Sequence, residues 1–417
     1  MPHNNPRLSA NKVVFECLVN KKDLQEALSK ELEQISDPRD RGFVTEVVYG
    51  YLRYKGRLDF LIDLHLDRPG KLPMKLRVLL GLAGYELFFL DRVPDYATVS
   101  SAVDLCRKLS GRNMTSLVNA LLRKMVHKDI NSIDTFKKDN PSDVVFCSRF
   151  YSCPLWVVKV LSRDYGAEFC LAYLRQTLEK PPLGVRVKGS FFDLWDQDKF
   201  VLQKEGNSLL LRDGCPEIES LIQQGRVFRQ SFAGQMAMRE LGMNQWSVPV
   251  WDMCAGSGGK SLLMLDQGLN VYSSDVSFRR LSNLSSISRK YGYESLIFAA
   301  SGTYPPLKKH SATILIDAPC SGLGVLSRRP DIKWKRSLTD VKRLTKTQAD
   351  LLDSAAKSVQ SGGRIVYITC TIGKKENQTQ VNDFLYKYKN FSLEKKYQTD
   401  LKQGLNEFFF GVVLKKN

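Results

Sequence analysis

The stretch Thr313-Ile-Leu-Ile-Asp-Ala-Pro-Cys-Ser-Gly-Leu-Gly-Val-Leu-Ser-Arg-Arg-Pro-Asp-Ile-Lys-Trp334 carries the architecture of this chain. Its first four residues, Thr313 to Ile316, are aliphatic or β-branched and predict a buried strand. The strand ends at Asp317. Pro319 cannot donate a ladder bond, and Gly322 and Gly324 loosen the backbone that follows. Asp317 and Cys320 therefore fall in a loop at the carboxyl end of a strand, the edge at which open α/β sheets bind ligands. A basic run follows, Arg328, Arg329, Lys333, Lys335 and Arg336. A second cysteine, Cys370, lies 370 − 320 = 50 residues further on in Val366-Tyr-Ile-Thr-Cys-Thr371, and it too closes a strand-like run.

Working outward, the alternation of strand and helix is regular from Gln230 to the end. Strands are predicted at Val248–Met253, Asn270–Ser274, Leu296–Ala299, Ala312–Ile316, Arg364–Ile368 and Phe408–Leu414, with helical stretches between most of them. That pattern is a doubly wound α/β sheet. Residues from about 7 to 130 read as helices throughout. Leu8, Val13, Val14, Cys17 and Leu18 recur at helical spacing, as do Phe43, Val44, Val47, Val48, Tyr51 and Leu52. Each stripe is read as core, and the basic residues beside them (Arg53, Lys55, Arg57, Arg123, Lys124, Lys128) are the functional hint. A polar segment ending in proline, Lys137–Pro141, reads as a linker. Between Pro154 and Phe228 the pattern is mixed, with a helix at Trp156–Tyr165 and a strand at Leu183–Val187, as in a small α/β module.

The chain has 417 residues, 62 Lys+Arg against 44 Asp+Glu and a net charge of +18, so a polyanionic partner is expected. Nine cysteines without a C-x-x-C pair do not form a disulfide framework, and four scattered histidines show no metal site. Met1–Asn11 is polar and lacks the apolar core of a signal peptide, and the longest apolar run, Val78–Leu90, is too short to span a bilayer. The expected setting is a reducing cytoplasm, with no membrane and no metal.

The second informative stretch is Trp251-Asp-Met-Cys-Ala-Gly-Ser-Gly-Gly-Lys-Ser261, a strand, a glycine loop and a helix start. The glycines let backbone approach a ligand closely. A phosphate loop would need glycine at position 254, where Cys254 stands. The next strand ends in Asp275, an acid placed to accept the two hydroxyls of a ribose. Loop and acid together suit a nucleoside-bearing cofactor.

These motifs, with Arg329-Pro-Asp-Ile-Lys-Trp334 and Thr369-Cys-Thr-Ile372 followed by Glu376-Asn377, resemble those of the RNA cytosine-5 methyltransferases of the bacterial RsmB (Sun/Fmu) group. Asp40-Arg-Gly-Phe43, Tyr49-Gly-Tyr-Leu-Arg53 and Val118-Asn-Ala-Leu-Leu-Arg-Lys124 resemble that group's NusB-like helical domain. The resemblance covers essentially the whole chain. It implies a NusB-like all-α docking domain over residues 1–138, linker helices and a small RRM-like α/β module over 139–229, and a Rossmann-like class I methyltransferase domain over 230–417. It implies S-adenosylmethionine as methyl donor and a cytosine of 16S ribosomal RNA as target, in a monomeric enzyme. Cys254, Ala255, Gly256, Ser257, Gly258, Gly259, Lys260, Asp275, Arg280, Ser301 and Asp317 would line the cofactor site. Cys370 matches the nucleophile and Cys320 the cysteine that assists product release. This chain departs from the group's pattern in having Ser257 for a proline, Ser301 for an acid and Gln378 for a glutamate.

The chemistry asks for the same residues. Cytosine C5 is a poor nucleophile, and a thiolate adding to C6 makes it an enamine-like carbon able to attack a methyl group. The thiol must be partly ionised, and Lys374 and Lys375 stand close in sequence. Charge builds at N3 as the thiolate adds, so a nearby acid is needed, and Asp317 is the acid of the central motif. A second group must help remove the C5 proton, and Cys320 is the candidate. Arg328, Arg329, Lys333, Lys335 and Arg336, beside this loop, are expected to contact phosphate, and a base in folded RNA must leave its stack. Two other readings stay open, a transfer-RNA cytosine-5 methyltransferase and a non-catalytic RNA-binding factor built on the helical domain.

Overall fold

The computed structural model describes residues 5–189, 199–212, 215, 217–304 and 311–417. The chain divides into two compact units, one of Met1–Glu179 with Arg329–Lys335, the other of Lys180–Arg328 with Arg336–Asn417.

The first unit is helical. Its longest helix, Pro38–Asp63, starts where Asp37 accepts the Arg39 N–H and Pro38 fills the first turn, whose own N–H would have no partner. It packs on Met74–Phe89 and Pro6–Leu18 around Val44, Val48, Tyr51, Leu52, Leu58 and Leu61. The apolar stripes read from the sequence are this core. Helices Asp143–Phe150, Leu155–Tyr165 and Ala167–Gln176, which the sequence reading grouped with the small module, fall in this unit. The Gly56 N–H donates to Ser152 Oγ (2.7 Å) and Tyr54 Oη donates to the Leu178 carbonyl (3.3 Å). The segment Arg329–Lys335 also belongs here. Its Trp334 indole N–H donates to the Leu52 carbonyl at 2.7 Å, and the ring packs against the same core.

The second unit holds two sheets. Strands β1 (Leu183–Val187), β2 (Val201–Glu205), β3 (Ser208–Leu211) and β4 (Val227–Arg229) form an antiparallel sheet ordered β2-β3-β1-β4. Strands β5 (Val250–Asp252), β6 (Val271–Asp275), β7 (Leu296–Ala299), β8 (Ser311–Asp317), β9 (Val359–Thr369), β10 (Phe391–Gln398) and β11 (Phe410–Lys416) form the larger sheet, ordered β10-β11-β9-β8-β5-β6-β7. β5 to β9 pair in parallel, and β11 runs antiparallel to β9 and β10. The centre of β8 is an apolar run because both its faces are covered. Ile314, Leu315 and Ile316 are wholly buried, so its side chains do not alternate in polarity. The chain leaves β5 toward β6 and β7, then returns past β5 to β8 and β9. The order reverses between β5 and β8, and the crevice beyond their carboxyl ends is where such a sheet binds its ligand.

Among the described residues, no helix is long and apolar enough to cross a membrane.

Candidate active site

The glycine loop leaves β5 and turns into the helix Gly259–Asp266. Gly258 has φ 91°, a left-handed conformation, and a Cβ there would meet Leu284 Cδ1 at 2.2 Å, so only glycine fits. A Cβ on Gly256 or Gly259 would meet nothing within 4 Å, which leaves the backbone on that side open to a ligand. Asp275, at the end of β6, accepts the Gly256 N–H at 2.9 Å and the Ser277 N–H at 2.8 Å. It is buried and holds the loop against the next strand while keeping lone pairs for further donors. Beneath the loop, burial pushes the Asp252 carboxyl up to about 7, although Ser261 Oγ donates to it at 2.6 Å.

The other expected cofactor residues lie around this loop. Cys254 and Lys260 are half-buried, Ala255 is buried and Ser257 is exposed. Burial holds the Cys254 thiol well above the usual thiol range, so it stays protonated. Arg280 is exposed in the first turn of the helix Phe278–Lys290 that follows Asp275, and its N–H is capped by Ser277 Oγ at 3.4 Å. Ser301 follows β7, with its Oγ 2.8 Å from Thr303 Oγ1.

The switch-point crevice brings the remaining groups together. Lys260 Nζ donates to Asp317 Oδ2 at 2.6 Å, linking the loop after β5 to the loop after β8. Burial works against the Lys260 charge, but the Asp317 carboxylate outweighs it and holds the ammonium above its ordinary range. The charge of Cys370 acts in the same direction. Lys260 thus ties the glycine loop to the loop that carries Cys320. Lys374 and Lys375, expected to help ionise Cys370, are exposed.

Cys320 Sγ and Cys370 Sγ are 3.3 Å apart, although 50 residues separate them in sequence. The contact with Cys370, then burial, raises the Cys320 thiol well above its usual range. Gly324 allows the approach of the two loops. Its N–H donates to the Cys370 carbonyl at 3.0 Å, and a Cβ there would lie 2.3 Å from the Phe408 carbonyl oxygen. Sequence reasoning named Glu376 and Asn377 only as part of a motif. Both are wholly buried and sit between the two cysteine loops. The one available signal was an acid and an amide side by side just after the second cysteine.

The basic run after Cys320 differs from the expectation of phosphate contact. Arg328 pairs with Glu407 (2.6 Å), and Arg329 with Asp23 (2.8 Å) and Asp331 (3.3 Å). Lys335 donates to the Lys22 carbonyl at 2.7 Å. Lys333 has no exposed surface, and its Nζ lies 3.4 Å from the carbonyls of Arg53 and Thr177. These four cations are engaged with protein, because Asp23, Asp331, Glu407 and backbone carbonyls lie where the run folds back. Arg336 is half-buried, and exposed cations further on include Lys342, Arg343 and Lys346.

Burial lowers the Lys333 amine to about 8 from an ordinary 10.5, with the charges of Arg53 and Arg57 acting the same way. The folded state then releases this proton at lower pH than the unfolded chain does. Between pH 8 and 10.5 the unfolded chain binds more protons, so stability rises with pH across that window. The full effect is about 3 kcal/mol. Denaturant unfolding of the parent and of Lys333→Met should therefore converge or cross as pH rises through the window, the parent gaining on the variant. Parallel pH profiles would show that the buried amine carries no such penalty.

Fold and site together define a Rossmann-like class I methyltransferase with two apposed cysteines, joined in one chain to a helical domain. Residues 241–409 match the family described as 16S rRNA methyltransferase RsmB/F, and residues 4–127 match the NusB family. The chain is 30% identical over 389 residues to the probable ribosomal RNA small subunit methyltransferase B of Bacillus subtilis, covering 87% of this chain and 84% of that protein. It is 29% identical over 415 residues to the corresponding probable enzyme of Synechocystis, covering 93% of this chain and 91% of that one. Among solved structures, PH0851 shares the fold over 99% of both chains with a TM-score of 0.80 at 19% identity. A methyltransferase homologue from Pyrococcus horikoshii does so with a TM-score of 0.57 at 17% identity, over 66% of this chain and all of that one. This chain belongs to the RsmB/F family of 16S rRNA methyltransferases.

Proposed function

We propose that this protein transfers a methyl group from S-adenosylmethionine to C5 of a cytosine in 16S ribosomal RNA, through a covalent bond between Cys370 and C6. The observation that carries this reading is the approach of Cys320 and Cys370 to 3.3 Å beside the Lys260–Asp317 pair.

The glycine loop and Asp275 fit the cofactor. The open side of Gly256 and Gly259 accommodates its backbone-facing part, and Asp275 is placed for the ribose hydroxyls. Bound there, the cofactor supplies an electrophilic methyl group. The chain's own residues do the rest. Lys260, hydrogen-bonded to Asp317, places a positive charge in the crevice that holds the two cysteines. The thiolate adds to C6, and the negative charge that accumulates at the ring nitrogen takes a proton from Asp317, which receives it in turn from the Lys260 ammonium it touches. Cys320 is a thiol beside Cys370 during the attack; once Cys370 is bound as a thioether, Cys320 gives its proton to solvent and the resulting thiolate takes the C5 proton. Removal of that proton lets the C6–S bond break and returns Cys370. The helical unit is read as the RNA-docking part, with Arg123, Lys124 and Lys128 exposed on it, and the setting as cytoplasmic.

Bisulfite sequencing of total RNA from a deletion strain, with and without the gene restored, tests the reading. One protected cytosine in 16S rRNA should lose protection in the deletion and regain it on restoration. An unchanged pattern would overturn the reading, and loss confined to transfer RNA would transfer the same chemistry to another substrate.

A further inference from the structure

The two sulfurs lie on loops that leave different strands. The parallel ladder between β8 and β9 ends with Asp317 opposite Ile368 and the Ala318 N–H donating to the Ile368 carbonyl at 2.8 Å. Beyond that bond the sheet holds neither Cys320 nor Cys370 in place. Something else must fix a 3.3 Å separation, because at this range a displacement of an ångström removes the contact.

Glu376 lies at the end of the single turn Lys374–Glu376, wholly buried. Its Oε1 accepts the Ser321 N–H at 2.8 Å and Gln348 Nε2 at 3.1 Å. Its Oε2 accepts Ser321 Oγ at 2.5 Å and lies 3.2 Å from Thr371 Oγ1. Gln348, on the helix Leu338–Ser358, also donates to the Pro319 carbonyl at 3.0 Å. Cys320 is thus gripped on both sides, through Pro319 and Ser321. Asn377 does the same for Cys370. Its Nδ2 donates to the Thr371 carbonyl at 2.8 Å, and its Oδ1 accepts from Thr369 Oγ1 at 2.5 Å. The backbone of Glu376 is anchored in turn by Tyr367 Oη, which donates to its carbonyl at 2.7 Å. A buried carboxyl is costly unless its oxygens are filled. Here two oxygens meet donors from three segments, a set that a single amide oxygen could not satisfy.

We propose that Glu376 is the positioning residue of the reaction, clamping the Cys320 loop to the Cys370 loop so that the thiol which frees the product faces the sulfur that holds it. The proposal rests on the assignment of those roles to the two cysteines, but its first test does not. The full chain is exposed to limiting diamide, an azo oxidant. Cys320 and Cys370 lose two protons and two electrons to its N=N bond, giving the hydrazine and a protein disulfide, which peptide mapping identifies. The parent should close this disulfide readily. Glu376→Gln, which keeps size and loses an acceptor oxygen, should close it about tenfold more slowly, and Ser321→Ala, which keeps the N–H bond, by a smaller factor. In single-turnover methylation Glu376→Gln should bind cofactor as the parent does and release product about 100-fold more slowly, with a protein–RNA adduct visible on denaturing gels. A residue that merely supports the fold would lower the melting temperature and leave both ratios unchanged. If Glu376→Gln does not fold, Ser321→Ala and Gln348→Ala give the same two readouts. Folded variants that form the disulfide and release product at the parent's rate overturn the clamp. A slowed disulfide with no adduct even in Cys320→Ala would leave the clamp standing and overturn the roles given to the cysteines.

Discussion

Cys370→Ala should abolish methyl transfer while leaving cofactor binding at the parent's level. The substitution removes one sulfur at the end of β9 and leaves the backbone of the glycine loop, Asp275 and Asp252 in place. Without the sulfur, C5 of the base keeps its aromatic character and has no lone pair to offer the methyl group. The whole advantage of covalent activation is lost, not a part of it, and losses for a removed nucleophile are on the order of 10⁴-fold or more. The alanine leaves a small space beside Cys320, so a modest fall in stability is expected, of about 1 kcal/mol. Calorimetry with the cofactor and a methyl-transfer assay on the same sample check both halves. Transfer persisting near the parent's rate would remove Cys370 from the mechanism. Loss of cofactor binding together with transfer would show that the substitution disturbed the crevice as a whole.

The sheet and the two cysteines were legible in the sequence for one physical reason. Strands buried on both faces appear as short apolar runs, and the residue that ends such a run lies at the ligand edge. β8 and the core of β9 are of this kind, and Cys320 and Cys370 follow them. β10 was missed because it is an edge strand in which Phe391 is buried and Ser392 to Lys396 are exposed, so neither an apolar run nor an alternation marks it. The helical unit was legible from its stripes, but its extent was not. Nothing in Arg329-Pro-Asp-Ile-Lys-Trp334 announces that it packs among helices more than 270 residues earlier, as the bond from Trp334 to Leu52 requires. A cluster of cations suggests a polyanion from composition alone, and only the fold reveals Asp23, Asp331 and Glu407 as its partners. Lys260 and Glu376 show the same limit at the site. Their partners, Asp317 and Ser321, lie 57 and 55 residues away, and local pattern carries no information about contacts of that kind.

Cys320→Ala should arrest the reaction after methyl transfer and leave the enzyme joined to its RNA. The argument runs from the order of bond changes. Addition of Cys370 to C6 and attack of C5 on the methyl group need Cys370, Lys260 and Asp317, and all three are intact in this variant. Afterward C5 bears both a methyl group and a hydrogen. The C6–S bond cannot break until that hydrogen leaves as a proton, because the electrons that expel sulfur come from the C5–H bond. Cys320 is the group 3.3 Å from the attached sulfur, and among the described residues no other titratable side chain is seen in hydrogen-bonding contact with that atom. Its raised thiol range keeps it neutral during the attack, so it does not repel the Cys370 thiolate. The variant should therefore bind cofactor, transfer one methyl group per enzyme and stall, with turnover reduced by about 10² to 10⁴, the usual contribution of a positioned acid or base. The adduct should survive denaturing electrophoresis, carry label from a methyl-labelled cofactor and be absent from the parent. In Cys320→Ala/Cys370→Ala no adduct should form, because the attacking sulfur is gone. A structural role for Cys320 would instead give a less stable protein with no adduct. Normal turnover in the single variant, or an adduct formed without Cys370, would show that the division of labour between the two cysteines is wrong.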